Sequence, residues 1–327
     1  MSGLVGHEAA VAAFLDALSS DRLHHAWLLA GPQGVGKARF AEAAALRLLA
    51  DAAGPPVRGD TLAVPEEHRI ARLMAAGSHP DYRRLARLEK DKTGDLARSI
   101  TVDQVRGLPA MFATTPSLSP RRVIVIDAID DMERGGANAL LKNLEEPPQG
   151  TIFLLVSHAP GRLLPTIRSR CRLLRFQPLD DGQTATVLTR ELGDAAEAQA
   201  LTRIAAGAPG AAMRFAGLDV PGMDAALDRL AREGDASNAG RIALARTLSL
   251  KAAQPRYEAF LERAPARIAI AARGLSGGPL AHAIDLWQRA RTVAEVALRT
   301  SGDSQATVFE LAGLVAALAP APERAKG

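Results

Sequence analysis

Ala26-Trp27-Leu28-Leu29-Ala30-Gly31-Pro32-Gln33-Gly34-Val35-Gly36-Lys37-Ala38 decides the fold. Five apolar residues stop at Gly31-Pro32, as a buried strand running into a loop does. The next residues fill the first seven positions of the phosphate-loop pattern G-x-x-x-x-G-K-[ST], and an Ala- and Leu-rich helix from Lys37 to Leu49 follows. In such a loop the glycines let backbone N–H groups turn inward toward phosphate oxygens. The helix N-terminus adds positive potential, and the lysine reaches the terminal phosphates. Gly31, Pro32, Gln33, Gly34, Val35, Gly36, Lys37 and Ala38 are therefore the candidate nucleotide-binding residues. A plain strand-to-helix turn with a surface lysine is the competing reading, and the flanking strand and helix weigh against it. The eighth position, Ala38, carries no hydroxyl where Ser or Thr would hold Mg²⁺.

Downstream, Val123-Ile124-Val125-Ile126-Asp127 reads as a second buried strand that delivers a carboxylate near the metal position. By itself Asp127 would be a strand-end capping residue, but beside the phosphate loop it reads as a site residue. Ala128 follows where hydrolytic relatives of this architecture place a glutamate that polarises water. Asp130 and Asp131 fall on the next turn, away from the metal. With both the metal hydroxyl and the base missing, hydrolysis is not expected, because phosphoryl transfer depends on metal and water positioning.

Ala137 to Glu146 reads as a helix stopped by Pro147-Pro148, and Ile152 to Val156 as a third buried strand. Continuous apolar runs alternating with helices predict a parallel sheet covered on both faces. After Phe176-Gln177-Pro178 no strand is expected. Thr184 to Leu192, Glu197 to Ala206, His282 to Arg299 and Ser304 to Leu318 read as helices, and the tail Ala319 to Gly327 as frayed. The expected division is an α/β domain at 1–178, a helical lid at 179–219 and a helical domain at 220–327.

At 327 residues the chain is long enough for two or three domains. A net charge of +4 is compatible with DNA nearby without arguing for it. A single cysteine, Cys171, excludes an internal disulfide and a cysteine-rich metal site. Met1 to Phe14 lacks signal-peptide character, and no apolar run reaches membrane-spanning length, so a cytoplasmic protein is expected.

Several segments together resemble the clamp-loader branch of the AAA+ proteins, those of bacterial DNA polymerase III. They are Leu4-Val5-Gly6-His7-Glu8, Leu23-His24-His25, His79-Pro80-Asp81, Ile100 to Arg106, Asn138 to Pro148 and Leu164-Pro165-Thr166-Ile167-Arg168-Ser169-Arg170-Cys171, in family order over residues 4 to 178. The C-terminal half matches only in helical character and length. Within the family the delta-prime type is most similar, since its members carry degraded versions of both nucleotide motifs.

The resemblance implies an α/β P-loop domain, a helical lid and a helical collar. It implies assembly with gamma/tau motor subunits and a delta subunit in a heteropentamer that places a sliding clamp on primed DNA. It also implies an arginine finger, Arg170 of Ser169-Arg170-Cys171, acting on a neighbour's ATP, with Arg168 and Arg172 as alternatives. ATP or ADP is an expected ligand of a degenerate site. Zinc is not expected: residues 50–78, where many members carry a four-cysteine module, contain no cysteine and read as a shortened ordered loop. Ser157-His158 falls at the family's γ-phosphate sensor position, though a strand-end turn reads equally well. Arg214 stands where a second sensor could lie, with a solvated helix face as the stronger reading. The alternatives are an active gamma/tau-type motor, against which Ala38 and Ala128 stand, and another AAA+ loader, against which the Asn138 to Pro148 box stands.

Overall fold

The computed structural model describes residues 3–20, 23–89, 96–300 and 302–320; the last seven residues of the tail expected to fray lie outside them. The chain forms two compact units, Met1–Arg214 and Phe215–Gly327.

The first unit contains strands β1 (Ala26–Ala30), β2 (Tyr82–Ala86), β3 (Arg122–Asp127), β4 (Thr151–Ser157) and β5 (Arg172–Arg175). All pair in parallel, in the order β2-β3-β4-β1-β5. Among its described residues the α-helices are α1 (Glu8–Ser19), α2 (Lys37–Ala53), α3 (Arg69–Ala75), α4 (Val102–Arg106), α5 (Leu108–Phe112), α6 (Arg134–Glu145), α7 (Pro165–Arg168), α8 (Asp181–Leu192), α9 (Ala195–Ala205) and α10 (Pro209–Ala212). The segment expected as a lid thus clusters, up to Arg214, with the sheet.

Alternation along the strands explains why they read as unbroken apolar runs. Trp27, Leu29, Val123, Val125, Leu154 and Val156 enter one core, and Leu28, Ile124, Ile126, Phe153 and Leu155 enter the other. A parallel sheet with helices on both faces requires this. On the first face Phe40 of α2 meets Phe14 and Phe176 edge-on at 5.7 and 5.0 Å, in the geometry that aromatic quadrupoles favour. Truncating a fully buried Phe such as Phe40 costs about 3–5 kcal/mol.

β2 and β5 were not among the three expected strands. β5 exposes Arg172, Leu173 and Arg175 and buries only Leu174; β2 exposes Arg83 and Arg84. These are the sheet's edges, where charge deters pairing with another chain.

The family-like boxes between the nucleotide motifs have structural work. Asp81, 1% exposed, accepts from the amides of Ser117 and Leu118 at 2.9 Å and so fixes the loop entering β3. Thr101 and Gln104 form a reciprocal cap on α4, and Gln104 Nε2 donates to Ala86 O at 2.9 Å, tying that helix to the end of β2. Residues 54–62 are organised by one buried side chain. Arg47 donates to Thr61 O at 2.5 Å and Val57 O at 2.6 Å and pairs with Asp51 at 2.9 Å, while Asp51 accepts from Val57 N at 2.8 Å.

The second unit is helical: α11 (Val220–Glu233), α12 (Ala239–Leu248), α13 (Gln254–Ala272), α14 (Gly277–Arg299) and α15 (Ser304–Ala316). α13 packs on α14 and α15, and α12 on α15. Phe260, Ile268, Leu286, Val308 and Leu311 form its interior. A two-pronged Arg263–Asp224 pair at 2.9 and 2.5 Å joins α13 to α11.

Candidate functional site

The sheet register sets the carboxyl ends of three strands side by side. Ala30 is opposite Ser157, and Asp127 is opposite Val156. The phosphate loop leaves β1 at this edge, in the crevice where open α/β sheets bind ligands. Gly34 and Gly36 adopt φ of +83° and +110°, which side-chain-bearing residues rarely reach. Among the described residues, none accepts a hydrogen bond from the amides of Gly34, Val35 or Gly36. The loop is therefore a nest of unpaired N–H groups at the start of α2, suited to phosphate oxygens.

Its shape is held from outside. His7 Nε2 donates to Val35 O at 2.7 Å, which fixes the tautomer, and its ring sits edge-on to Phe176 at 4.9 Å. Gly210 N donates to Gly34 O at 2.9 Å, and a methyl added at Gly34 would come within 2.2 Å of Ala211 N. A Cβ at Gly31 would meet Phe176 O at 2.3 Å.

Lys37 is 2% exposed and turns back on the loop, donating to Gly31 O at 2.6 Å and Pro32 O at 2.5 Å. Burial pulls its pKa down to about 8, against the charges of Asp130 and Asp127, which push it up. A cavity of about 310 Å³ opens over the loop, lined by Leu4, Val5, Leu179, Val187 and Met213 on its apolar side. That lies at the lower end of the ~300–1,000 Å³ usual for small-molecule sites. Gln33, Gly34, Val35, Gly36, Lys37, Ala38 and Asp127 all line it. Gly31 and Pro32 instead supply the carbonyls that Lys37 holds.

A Mg²⁺ ion does not fit this chain's residues. Ala38 offers no oxygen, and Asp127 is already engaged: its Oδ2 accepts from Arg84 Nη2 at 2.7 Å. The other side of that guanidinium meets Glu42 Oε1 at 2.8 Å. Sequence reasoning missed Arg84 because its strand carries no motif and exposes the arginine.

Asp130 lies on a short 3₁₀ turn, Ile129–Asp131, as the expectation of a following turn has it. Its carboxylate caps the end of β4. It accepts from Ser157 Oγ at 3.0 Å, His158 N at 2.6 Å and Ala159 N at 3.1 Å. The Ser157 hydroxyl is thereby consumed in structure. His158 lines the cavity, and burial, reinforced by the Lys37 charge, lowers its pKa. Near neutral pH it is uncharged. Met213, not Arg214, lines the cavity.

Arg170 stands apart from this cavity. It follows α7, with Nη1 donating to Thr166 O at 2.9 Å and Nη2 paired with Glu145 Oε1 at 2.7 Å. Cys171 packs against the second sheet face, and burial pushes its thiol up to about 12, so it is no nucleophile at neutral pH.

The family described as "DNA polymerase III, delta subunit" matches residues 6–180, more than half of the 327-residue chain. The chain belongs to this family. It is 41% identical over 200 residues to DNA polymerase III subunit delta' of Pseudomonas aeruginosa, covering 60% of this chain and 57% of that one. It is 40% identical over 146 residues to the delta' subunit of Escherichia coli, covering 44% and 42%. DNA polymerase III subunit tau/gamma of Haemophilus influenzae is 33% identical over 192 residues, covering 58% and 26%. The match thus spans about half the length of the delta' relatives, and it falls on the fold's nucleotide-site unit by way of the family match. A parallel α/β sheet carrying a phosphate loop, with helices following, is the fold of this chain.

Proposed function

We propose that this chain acts as a delta-prime-type subunit of a bacterial clamp loader. It would assemble with gamma/tau motor subunits and a delta subunit in a heteropentamer and help place the sliding clamp on primed DNA. Its own nucleotide site is silent in hydrolysis. In this proposal the chain has an AAA+ domain at 1–178, a lid at 179–219 and a collar at 220–327 that joins sister subunits, and it works in the cytoplasm. No helix among the described residues is long and apolar enough to cross a membrane, which agrees with that setting.

The observation that carries it is the contrast within one site. The phosphate loop keeps its geometry, with Lys37 and unpaired amides in place, while the metal carboxylate Asp127 is bound to Arg84 and Ala38 and Ala128 occupy the chemical positions. A cradle with its hydrolytic groups gone suits a subunit that serves its neighbours. In this reading Arg170 reaches the adjacent subunit's ATP. A planar guanidinium can bond γ-phosphate oxygens at two points as charge spreads in the transition state.

Reconstitution decides the matter. The purified chain, mixed with the gamma/tau and delta subunits of its own organism, is expected to co-elute as one complex that loads clamps on primed DNA. Elution of this chain alone, with the other subunits assembling and loading without it, would sink the proposal.

A further inference from the structure

The place at Asp127 where a P-loop site keeps its divalent ion is taken by a side chain. Arg84 projects from the edge strand β2, whose register sets Ala86 beside Asp127. Its guanidinium is gripped on both sides, by Glu42 of α2 at 2.8 Å and Asp127 of β3 at 2.7 Å. It is still 43% exposed, on a depression that it shares with Gln33 of the phosphate loop, Asp127, Ala128 and His158. That depression adjoins the cavity over the loop and shares Gln33, Asp127 and His158 with it.

Divalent ions in such sites bridge β- and γ-phosphate oxygens and offset their charge. Arg84 supplies one fixed positive charge in that neighbourhood and cannot lose it near neutral pH. It also removes the carboxylate on which an ion would settle. Of the neighbouring acids, Asp130 is saturated by the end of β4, and Asp131 is paired with Arg87 at 3.1 Å. Counted with Lys37, whose charge Asp127 also meets, Glu42, Asp127 and Arg84 leave no surplus positive charge. A third phosphate would add negative charge with no divalent ion to offset it. A diphosphate would bring less.

We propose that this cradle binds a nucleoside diphosphate without a divalent metal, with the Arg84 guanidinium standing in the metal's place against Asp127. The inference deepens the silent-site reading and rests on the loop being a nucleotide cradle. It gives Arg84 a specificity role: the residue makes the site indifferent to Mg²⁺ and selects diphosphate over triphosphate.

Isothermal titration calorimetry of the full chain tests it, with ADP and with ATP, each in excess Mg²⁺ and in excess EDTA. The ADP dissociation constant is expected to agree between the two buffers within about twofold, and ATP to bind more weakly in both. Arg84→Met frees Asp127, so Mg²⁺ should then tighten ADP by about tenfold or more, whereas Arg84→Lys keeps a cation and should stay indifferent to metal. Electron paramagnetic resonance with Mn²⁺ gives a second readout. Mn²⁺ should add no protein-bound signal to the wild-type chain with ADP, and it should add one to Arg84→Met.

Circular dichroism checks that the variants fold; if Arg84→Met does not, the two wild-type measurements decide. Wild-type ADP binding tightened about tenfold or more by Mg²⁺, a protein-bound Mn²⁺ signal in the wild type, or no ADP binding in either buffer would each overturn the inference. These results are separable from the clamp-loader reading. A chain that assembles with its partners yet needs Mg²⁺ for ADP sinks only the metal-free site, and a chain that binds ADP in EDTA yet fails to assemble sinks only the clamp-loader role.

Discussion

Glu145 holds Arg170: their Oε1 and Nη2 atoms lie 2.7 Å apart, joining the end of α6 to the turn after α7. The two residues come from two of the segments that resemble the clamp-loader family, Asn138 to Pro148 and Leu164 to Cys171. The pair is part-exposed, at 33% and 48% of each side chain. Surface ion pairs contribute about 0–1 kcal/mol. Such a pair can orient the guanidinium and still release it to a stronger anion, as a γ-phosphate would be.

Arg170→Ala should therefore leave the chain folded and able to assemble, with less than about 1 kcal/mol lost in urea titration. DNA- and clamp-stimulated ATP hydrolysis by the assembled complex should fall steeply, since fingers given in trans contribute about 10³ to 10⁵ in rate. Arg170→Lys should restore little, because it lacks the planar fork. Normal hydrolysis and clamp loading by the Arg170→Ala complex would make Arg170 structural.

The isolated chain should release no phosphate from ATP above the level of a Lys37→Ala control. Ala38, Ala128 and the Arg84–Asp127 pair each remove a requirement for metal and water positioning. Steady-state phosphate release is the measurement, and clear Lys37-dependent turnover would revive the motor reading.

Lys37 should leave a signature in stability against pH. Its pKa is lowered from 10.5 to about 8, first by burial, with Asp130 and Asp127 opposing. Between those values the unfolded chain holds a proton that the folded chain does not, so this residue makes stability rise with pH across the window. Relative to Lys37→Met, the wild type should gain on the order of 2–3 kcal/mol from pH 7 to pH 10. Paired urea titrations check this; parallel profiles would show that the buried ammonium titrates normally.

Arg47→Ala should loosen residues 54–62. It removes the donor to Thr61 O and Val57 O and leaves Asp51 without its charge partner. Losing one member of a largely buried pair costs about 3 kcal/mol. A lower melting temperature and new protease cuts within this loop are expected. Metal analysis of the purified wild type should find less than one equivalent of zinc, and one tightly held equivalent would overturn the idea that the Arg47 knot alone orders this segment.

Much of the fold was legible where burial forces a pattern. β1, β3 and β4 are buried on both faces, so their sequences are continuous apolar runs. β2 and β5 were missed because edge strands carry arginines, and their alternation is too short to stand out. The phosphate loop and the missing chemical groups were readable as local spacing. Arg84 was not, since its role arises only when the sheet sets β2 beside β3. The same holds for His7, whose bond to Val35 spans 28 positions in the chain. Asp130 was expected on the turn beyond β3 and lies there; its grip on the end of β4 is a contact between segments, which no single stretch of sequence displays.

The Gly210–Gly34 contact has a consequence for what can enter the cavity. One wall of the opening is main chain pressed on main chain, with no room for a methyl group between. Rotamer changes can reshape the side-chain walls of the cavity, but not this one. Here the loop gives way to a bulky guest only if the Gly210 N–H releases the Gly34 carbonyl.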